Sequence, residues 1–128
     1  MTHFDQTEYV KYRMKKAREA LSAAHLLAEH QQWNACINRL YYGCFYAVTA
    51  LLISQDIHAK SHAGVKTQFF QHFLKSGQIE KSFGLLYADL FDWRQRGDYG
   101  DFFDFEAETV EPVLPQVEAF LTVIQKLL

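Results

Sequence analysis

The segment WNACINRLYYGCFYAVTALLI at residues 33–53 decides the fold of this chain. Its apolar residues recur at helical spacing and form one continuous stripe, made of Ile37, Leu40, Cys44, Val48 and Leu51. At about 100° per residue, Tyr42 and Tyr46 fall on the opposite side from that stripe, and Arg39 shares their face. A helix that is apolar nearly all round belongs at the centre of a bundle or at a subunit interface. The segment therefore predicts a central helix.

Helical patterns flank this segment on both sides. A capping box at Asp5 and Glu8 predicts the start of a long first helix. Its apolar stripe is rich in small residues and comprises Val10, Met14, Ala17, Leu21, Ala24 and Ala28. After a polar connection at residues 54–60, Ser61 is placed to cap a third helix that ends at Gly77.

Two more helices are expected in the second half of the chain. Apolar residues from Ile79 to Trp93 predict a fourth helix that closes at Gly97, before an acidic and aromatic loop over residues 97–105. A last helix should follow, with irregular first turns caused by Pro112 and Pro115. No segment is long enough to seed a sheet. The fold class predicted is all-α, an up-and-down bundle of about five helices in one domain over residues 1–128.

The composition fits one core with apolar surface to spare. The 128 residues are 49% hydrophobic and include eleven Phe and seven Tyr, against 22% charged residues. We therefore expect some aromatic surface to be covered by a partner chain, most simply in a homodimer. The net charge of −2 argues against a protein that coats nucleic acid, although five Lys and Arg residues crowd residues 11–18.

The cysteines and the terminus predict a cytoplasmic protein. Cys36 and Cys44 lie eight residues apart in one helix, about 12 Å by helical rise, so they cannot bridge each other. Residues 1–8 are polar and do not resemble a signal peptide. We find no uninterrupted apolar run long enough for a bilayer and expect no membrane association.

No complete catalytic or metal-binding set stands out. His58 and His62 are four residues apart and could hold zinc on one continuous helix, but the predicted cap at Ser61 separates them. Scattered histidines of this kind are usually polar surface or core groups. We therefore predict neither a metal site nor a cofactor.

Two polar and aromatic clusters remain as candidates, at residues 38–42 and 94–99. They admit two interpretations. In the first, the second cluster only fixes the chain after Gly97: Asp98 accepts from Arg94, and Tyr99 packs back on the helix end. In the second, Arg94 or Arg96 binds a phosphate or an RNA backbone, and a tyrosine supplies stacking or a hydroxyl for modification.

Four short motifs, in order along nearly the whole chain, resemble the HEPN superfamily of small helical domains. They are Asn38-Arg39-x-Tyr41-Tyr42-x-x-Phe45, Ser61-His62-x-Gly64-Val65, Lys75-x-Gly77-x-Ile79 and Arg94-x-x-x-Asp98-Tyr99. The resemblance implies a helical bundle that dimerises near the arginine-bearing helix ends. Members are often encoded beside a minimal nucleotidyltransferase in toxin and antitoxin pairs, and many are metal-independent ribonucleases.

This chain departs from the ribonuclease pattern of that superfamily. Those enzymes carry a histidine four to six residues after the arginine, whereas Tyr99 and Asp101 follow Arg94 here and no histidine occurs downstream. The side chain that would titrate near neutrality is thus missing, and His62 is the one possible replacement that the motifs offer. The resemblance also makes Tyr99 a candidate for modification by AMP from a nucleotidyltransferase.

The leading interpretation is a HEPN-type dimer that binds a nucleotide, RNA or a nucleotidyltransferase partner. Its predicted ligand-binding residues share one pocket and are Arg39, Tyr42, Arg94, Arg96, Asp98 and Tyr99. One alternative is a metal-independent ribonuclease toxin, with Arg94, Tyr99 and His62 as catalytic candidates. The other is a scaffold without a ligand.

Overall fold

The structure, a computed structural model, describes residues 3–101 and 103–128, with the side chains of residues 3 and 4 left out. Its helices are α1 (His3–Glu29), α2 (Trp33–Ser54), α3 (His62–Phe69), α4 (Lys81–Tyr99), α5 (Ala107–Val110) and α6 (Val113–Leu127). A π-helical turn, Phe70–Leu74, prolongs α3. The described residues contain no strand, and five of the helices are longer than one turn. The predicted all-α class is confirmed.

Helix α2 is the centre of the bundle, as its sequence predicts. It packs against α1, α4 and α6, and its residues Ile37, Leu40 and Leu51 are fully buried. Burying one such side chain contributes about 1.5–3 kcal/mol. Tyr41 is also fully buried and stacks on Tyr87 of α4, with ring centroids 6.0 Å apart.

Helices α1 and α2 approach each other closely because small residues meet between them. A Cβ atom added to Gly43 would lie 3.4 Å from the carbonyl oxygen of Ala17. Ala17 and Ala24 are fully buried, so the predicted apolar stripe of α1 does face the core. The capping box at Asp5 does not mark the helix start, since α1 begins at His3 and Asp5 lies inside its first turn.

Local signals set the limits of α3. Ser61 is its N-cap, and the Ser61 hydroxyl accepts a hydrogen bond from the Gly64 amide at 2.9 Å. Gly77 lies in the turn after the π-helical segment with a φ of 82°, a left-handed conformation that suits glycine. Both predictions from the sequence are confirmed.

Helix α4 ends later than predicted. It continues to Tyr99, two residues past Gly97, and the Gly100 amide donates to the Arg96 carbonyl at 2.9 Å. Gly97 serves packing instead, because a Cβ there would lie 3.2 Å from the Phe105 ring. The last turn of α4 therefore carries Asp98 and Tyr99 on a helix rather than in a loop.

The acidic and aromatic segment docks on the bundle through Asn34. The Asn34 side chain donates to the Phe103 carbonyl and accepts from the Phe105 amide, both at 2.9 Å. The Phe105 ring lies 4.9 Å from that of Phe103 and 5.9 Å from that of Trp93, between centroids. Phe102, which belongs to the same predicted loop, lies outside the described residues.

The C-terminal helix is broken where the prolines predict it. Residues 111–112 separate the short α5 from α6, and α6 begins directly after Pro112. Val117, Phe120 and Ile124 of α6 are fully buried, which confirms the predicted apolar face.

One described helix, Trp33–Ser54, is long and apolar enough by length and composition to cross a membrane. From the sequence we expected no apolar run long enough to cross a bilayer, and this helix meets the length and composition of one. Of the apolar 18-residue stretch within this helix, 67% is buried inside the bundle, as in the core helix of a folded domain. Cys36 and Cys44 on this helix are buried and free.

Candidate ligand site between α2, α3 and α4

A positive charge from α4 lies over the aromatic rings of α2. The guanidinium carbon of Arg94 is 5.1 Å from the ring centroid of Tyr41 and 5.7 Å from that of Tyr42. Its side chain is only 12% exposed. The faces of the two phenol rings attract the cation and hold it at the edge of the core.

Polar contacts continue from Arg94 to the surface of α2. Arg94 Nη1 lies 3.8 Å from Asp98 Oδ2, one turn further along α4. The same carboxylate oxygen accepts from Asn38 Nδ2 at 3.0 Å, and Asn38 Oδ1 accepts from Arg39 Nε at 3.1 Å. The Arg39 guanidinium then lies 5.1 Å from the Tyr42 ring centroid. These contacts confirm the predicted pairing of Arg94 with Asp98 and connect both clusters of the sequence.

His62 joins this group from the first turn of α3. Its Nδ1 atom lies 2.7 Å from the Tyr41 hydroxyl, and its ring stacks on Phe45 at 4.3 Å between centroids. Partial burial, together with the charge of Arg94, lowers the pKa of His62. The imidazole is therefore neutral at neutral pH and able to accept a proton. We call Asn38, Arg39, Tyr41, Tyr42, His62, Arg94 and Asp98 the Arg94 site.

The buried phenols beside the site stay protonated. Burial raises the pKa of Tyr41 to about 12, although the charge of Arg94 opposes the shift. Burial also raises the pKa of Tyr87 well above its usual value. Both tyrosines are thus neutral hydrogen-bonding groups rather than bases.

The guanidinium of Arg94 makes few polar contacts with the described residues. Arginine has five N–H donors, yet within the described part of the chain the buried Nε of Arg94 has no hydrogen-bond partner. Its contact with Asp98 is long for an ion pair, at 3.8 Å. Because the Nε atom is buried and the side chain as a whole is 12% exposed, an anion with several acceptor oxygens would bind at the terminal Nη groups.

The structure brings together four of the six predicted ligand-binding residues. Arg39, Tyr42, Arg94 and Asp98 belong to the Arg94 site. Arg96 does not, because two residues of helix rotate it about 200° from Arg94, and it is exposed.

Tyr99 also lies apart from the site. It is 76% exposed, and five residues of helix rotate it about 140° from Arg94. The prediction that Tyr99 shares the pocket, and the alternative that it packs back on the helix end, are both wrong. Its exposed hydroxyl remains open to modification.

Sequence reasoning undervalued His62 and gave Asn38 no role. The usable signal was the Ser61 cap, which orients the first turn of α3 and with it His62. No cluster of three or more His, Cys, Asp or Glu side chains suited to a metal occurs among the described residues. His58 precedes α3, and the Nδ1 atom of His62 faces Tyr41 rather than His58.

Two cavities of several hundred Å³ are lined by residues outside the Arg94 site. One, of about 830 Å³, runs between α3 and α4 and is bounded by Phe70, Leu74 and Leu85. Another, of about 510 Å³, lies beside α1 at Val10 and Met14. The polar side chains that could act on a ligand converge instead at the Arg94 site.

Comparisons with known proteins agree with this architecture. The HEPN domain family model matches residues 10–127. A UPF0332 protein of Thermotoga maritima is 36% identical over 97% of this chain and 94% of its own length. Two Methanocaldococcus jannaschii proteins named as candidate toxins are 32% and 29% identical, over 97% and 90% of this chain and 92% and 78% of their own lengths.

Proposed function

Because this chain belongs to the HEPN domain family, we propose that it is a binding module for the phosphate of a nucleotide or of RNA, with Arg94 as the anion-binding group. The observation that carries the proposal is the state of the Arg94 guanidinium. It is fixed over Tyr41 and Tyr42, its side chain is 12% exposed, and among the described residues it makes one long ion pair while its Nε has no hydrogen-bond partner. Planar guanidinium forks suit phosphate oxygens in this setting.

The neighbours of Arg94 extend the same chemistry. Arg39 adds a second cation, which is connected to Arg94 by the hydrogen bonds of Asn38 and by Asp98. Tyr42 is half-buried and lies between the two cations, within 5.7 Å of each. The phenol ring in this position holds both cations where they can bind a phosphate.

The biological setting that we propose is a toxin and antitoxin pair. Relatives named as candidate toxins support this, because they align with nearly the whole chain. In this setting the protein acts as a homodimer and contacts a minimal nucleotidyltransferase partner. The exposed Tyr99 hydroxyl attacks the α-phosphorus of ATP bound by that partner, its proton passes to the solvent, and pyrophosphate leaves.

The test compares two arginines on one helix. Arg94→Gln and Arg96→Gln remove the same charge from α4, two residues apart, but only Arg94 belongs to the site. Calorimetric titration with AMP should show a loss of about 10-fold or more for Arg94→Gln, the scale of one charged hydrogen bond. Arg96→Gln should change affinity less than about threefold. Equal losses in the two variants, or no rise in melting temperature with any nucleotide, would support the scaffold interpretation.

A ribonuclease is the second candidate, and the position of His62 favours it. His62 and Arg94 lie against the same tyrosine, Tyr41, so one group could move a proton while the other stabilises charge on phosphate oxygens. In such a reaction the RNA 2′-hydroxyl attacks phosphorus and its proton passes to His62. The bond between phosphorus and the 5′-oxygen of the next nucleotide breaks, that oxygen takes up a proton from water, and His62 then returns its proton to the solvent. The products are a 2′,3′-cyclic phosphate and a new 5′ end.

A gel assay separates this candidate from the binding module. Cleavage of a labelled RNA in the presence of EDTA, lost in both His62→Gln and Arg94→Gln, would establish the enzyme. Growth arrest on expression that Arg94→Ala relieves would agree with it. Cleavage that persists in His62→Gln would exclude His62 as the proton acceptor. If expression is harmless and the protein binds RNA without cutting it, the result supports the binding module.

A further inference from the structure

A second group of cations and aromatic rings lies between α1 and α2. Tyr12, Arg13, Lys16, Arg39 and Tyr46 line a surface cavity of about 250 Å³. We call these five residues the α1–α2 strip. Arg13 and Lys16 of the strip belong to the basic segment at residues 11–18, and no residue of that segment is part of the Arg94 site.

Arg13 is held in the strip by neutral groups. Its Nε and Nη2 atoms donate to the Tyr9 hydroxyl at 3.0 and 2.7 Å. Its guanidinium carbon lies 5.2 Å from the Tyr9 ring centroid and 5.6 Å from that of Tyr46. No ion pair within the described part of the chain involves Arg13. The fold therefore fixes the position of this guanidinium without neutralising its charge.

The other cations leave the strip positive overall. Lys16 lies 5.5 Å from the Tyr12 ring centroid and pairs with Glu19 at 3.5 Å. Glu19 is the one carboxylate that lines the cavity, against Arg13, Lys16 and Arg39. Tyr12 is 52% exposed, so a flat ring stands open to solvent beside these cations.

The strip is continuous with the Arg94 site. The ring centroids of Tyr42 and Tyr46 are 5.8 Å apart, one helical turn along α2. Arg39 lines the strip and also lies over Tyr42, which in turn contacts Arg94. Cations alternating with aromatic faces along a surface are the arrangement that proteins use for unpaired nucleotides.

We infer that the α1–α2 strip is a second subsite for phosphate and base, so that the protein binds a single-stranded polynucleotide rather than a free nucleotide. This inference rests on the proposed phosphate binding at Arg94. A single nucleotide fills the Arg94 site, and the strand continues over Tyr42 and Tyr46 towards Arg13, Lys16 and Tyr12. The strip contacts phosphates and base faces, so it confers length dependence and little sequence preference.

The test uses paired variants of α1 with the same change of charge. Arg13→Gln/Lys16→Gln removes two cations of the strip. Lys11→Gln/Lys15→Gln removes two cations that line the different cavity beside Val10 and Met14. Fluorescence anisotropy measures binding of an eight-nucleotide RNA and of the DNA with the same sequence, and calorimetry measures binding of AMP.

The strip variant should bind the eight-nucleotide strand at least about 10-fold more weakly, and AMP as before. The control variant should lose less than about threefold for either ligand. The dependence of log affinity on log salt should fall by about 1.4 in the strip variant, at about 0.7 per phosphate contact. Whichever strand, RNA or DNA, shows the loss is the type of strand that the strip recognises.

Three results would overturn the inference. Two of them would leave the proposed function intact, and the third would remove it as well. Equal losses of strand affinity in the strip variant and the control variant would mean that only the net charge of the protein matters. A loss of affinity for Arg94→Gln without a loss for the strip variant would restrict binding to the Arg94 site. Absence of AMP and oligonucleotide binding would remove the proposed function as well. Tyr12→Ala, at an exposed ring, repeats the test without risk to folding and should weaken the strand but not AMP.

Discussion

Replacing Asn34 with alanine should destabilise the whole end of the molecule that carries the Arg94 site. The Asn34 side chain binds two backbone groups of the acidic segment, the Phe103 carbonyl and the Phe105 amide, both at 2.9 Å. Both bonds are partly buried. Asn34→Ala removes both partners at once.

The size of the effect follows from these two bonds. A stranded buried donor or acceptor costs about 1–3 kcal/mol, and partial burial places each group at the lower end of that range. The free energy of unfolding should therefore fall by about 2–3 kcal/mol. With a urea dependence of about 1–3 kcal/mol per molar, the unfolding midpoint should fall by roughly 0.7–3 M.

Asn38→Ala is the matched control, since it removes the same side chain one turn further along α2. Asn38 binds Asp98 at 3.0 Å in an exposed position, so its loss should cost less than about 1 kcal/mol. Urea unfolding followed by circular dichroism gives both midpoints, and hydrogen exchange at the Phe105 amide reports the local change. Equal midpoints for the two variants would refute the role given to Asn34.

Three more outcomes are expected. Tyr41→Phe, which removes the hydroxyl that lies 2.7 Å from His62 Nδ1, should lower the free energy of unfolding by about 1 kcal/mol in a thermal melt. Burial raises the pKa of Cys36 to about 11 and also raises that of Cys44, so both should react with a thiol reagent roughly a hundredfold more slowly in the folded protein than after unfolding, as a colorimetric assay would measure. Because the pKa of His62 is below its ordinary 6.5, the unfolded chain binds the extra proton, and the stability that neutral His62 contributes should be lost as pH falls below about 6.5. Melting curves of the wild type and of His62→Gln at several pH values check this, and parallel curves would speak against it.

The sequence predicted those parts of the fold that depend on local periodicity. The core helix over residues 33–53 carries its own signal, because nearly every face of it is apolar. The cap at Ser61 and the break before α6 at Pro112 are likewise written in adjacent residues. Each of these features depends on contacts within a few positions along the chain.

The end of α4 shows where such reasoning stops. Gly97 resembles a helix terminator, but its missing side chain makes room for Phe105 and Asn34, which come from distant parts of the chain. Once the helix is known to continue, its rotation directs Tyr99 and Arg96 away from Arg94. The position of Tyr99 thus follows from the later helix end, whereas Arg96 already lay inside the predicted helix, and its rotation from Arg94 follows from the spacing alone.

The motifs already offered His62 as a candidate, but its contact with Tyr41 is visible only in the tertiary structure. It lies 21 residues from Tyr41, and no spacing rule connects the start of α3 with the middle of α2. The same holds for the path from Arg94 through Tyr42 to the α1–α2 strip, which joins three helices. Pairings of this kind depend on which helix faces touch, and that is decided by the packing of the whole bundle.

An NMR titration with AMP, observing the Arg94 Nε–H and His62 ring signals, tests the central claim of a phosphate site between α2, α3 and α4. Both sets of signals should shift together and saturate with one binding constant, and Arg94→Gln should abolish the shift at His62. Saturable shifts confined to the cavity around Phe70 and Leu85, with Arg94 and His62 unchanged, would contradict it.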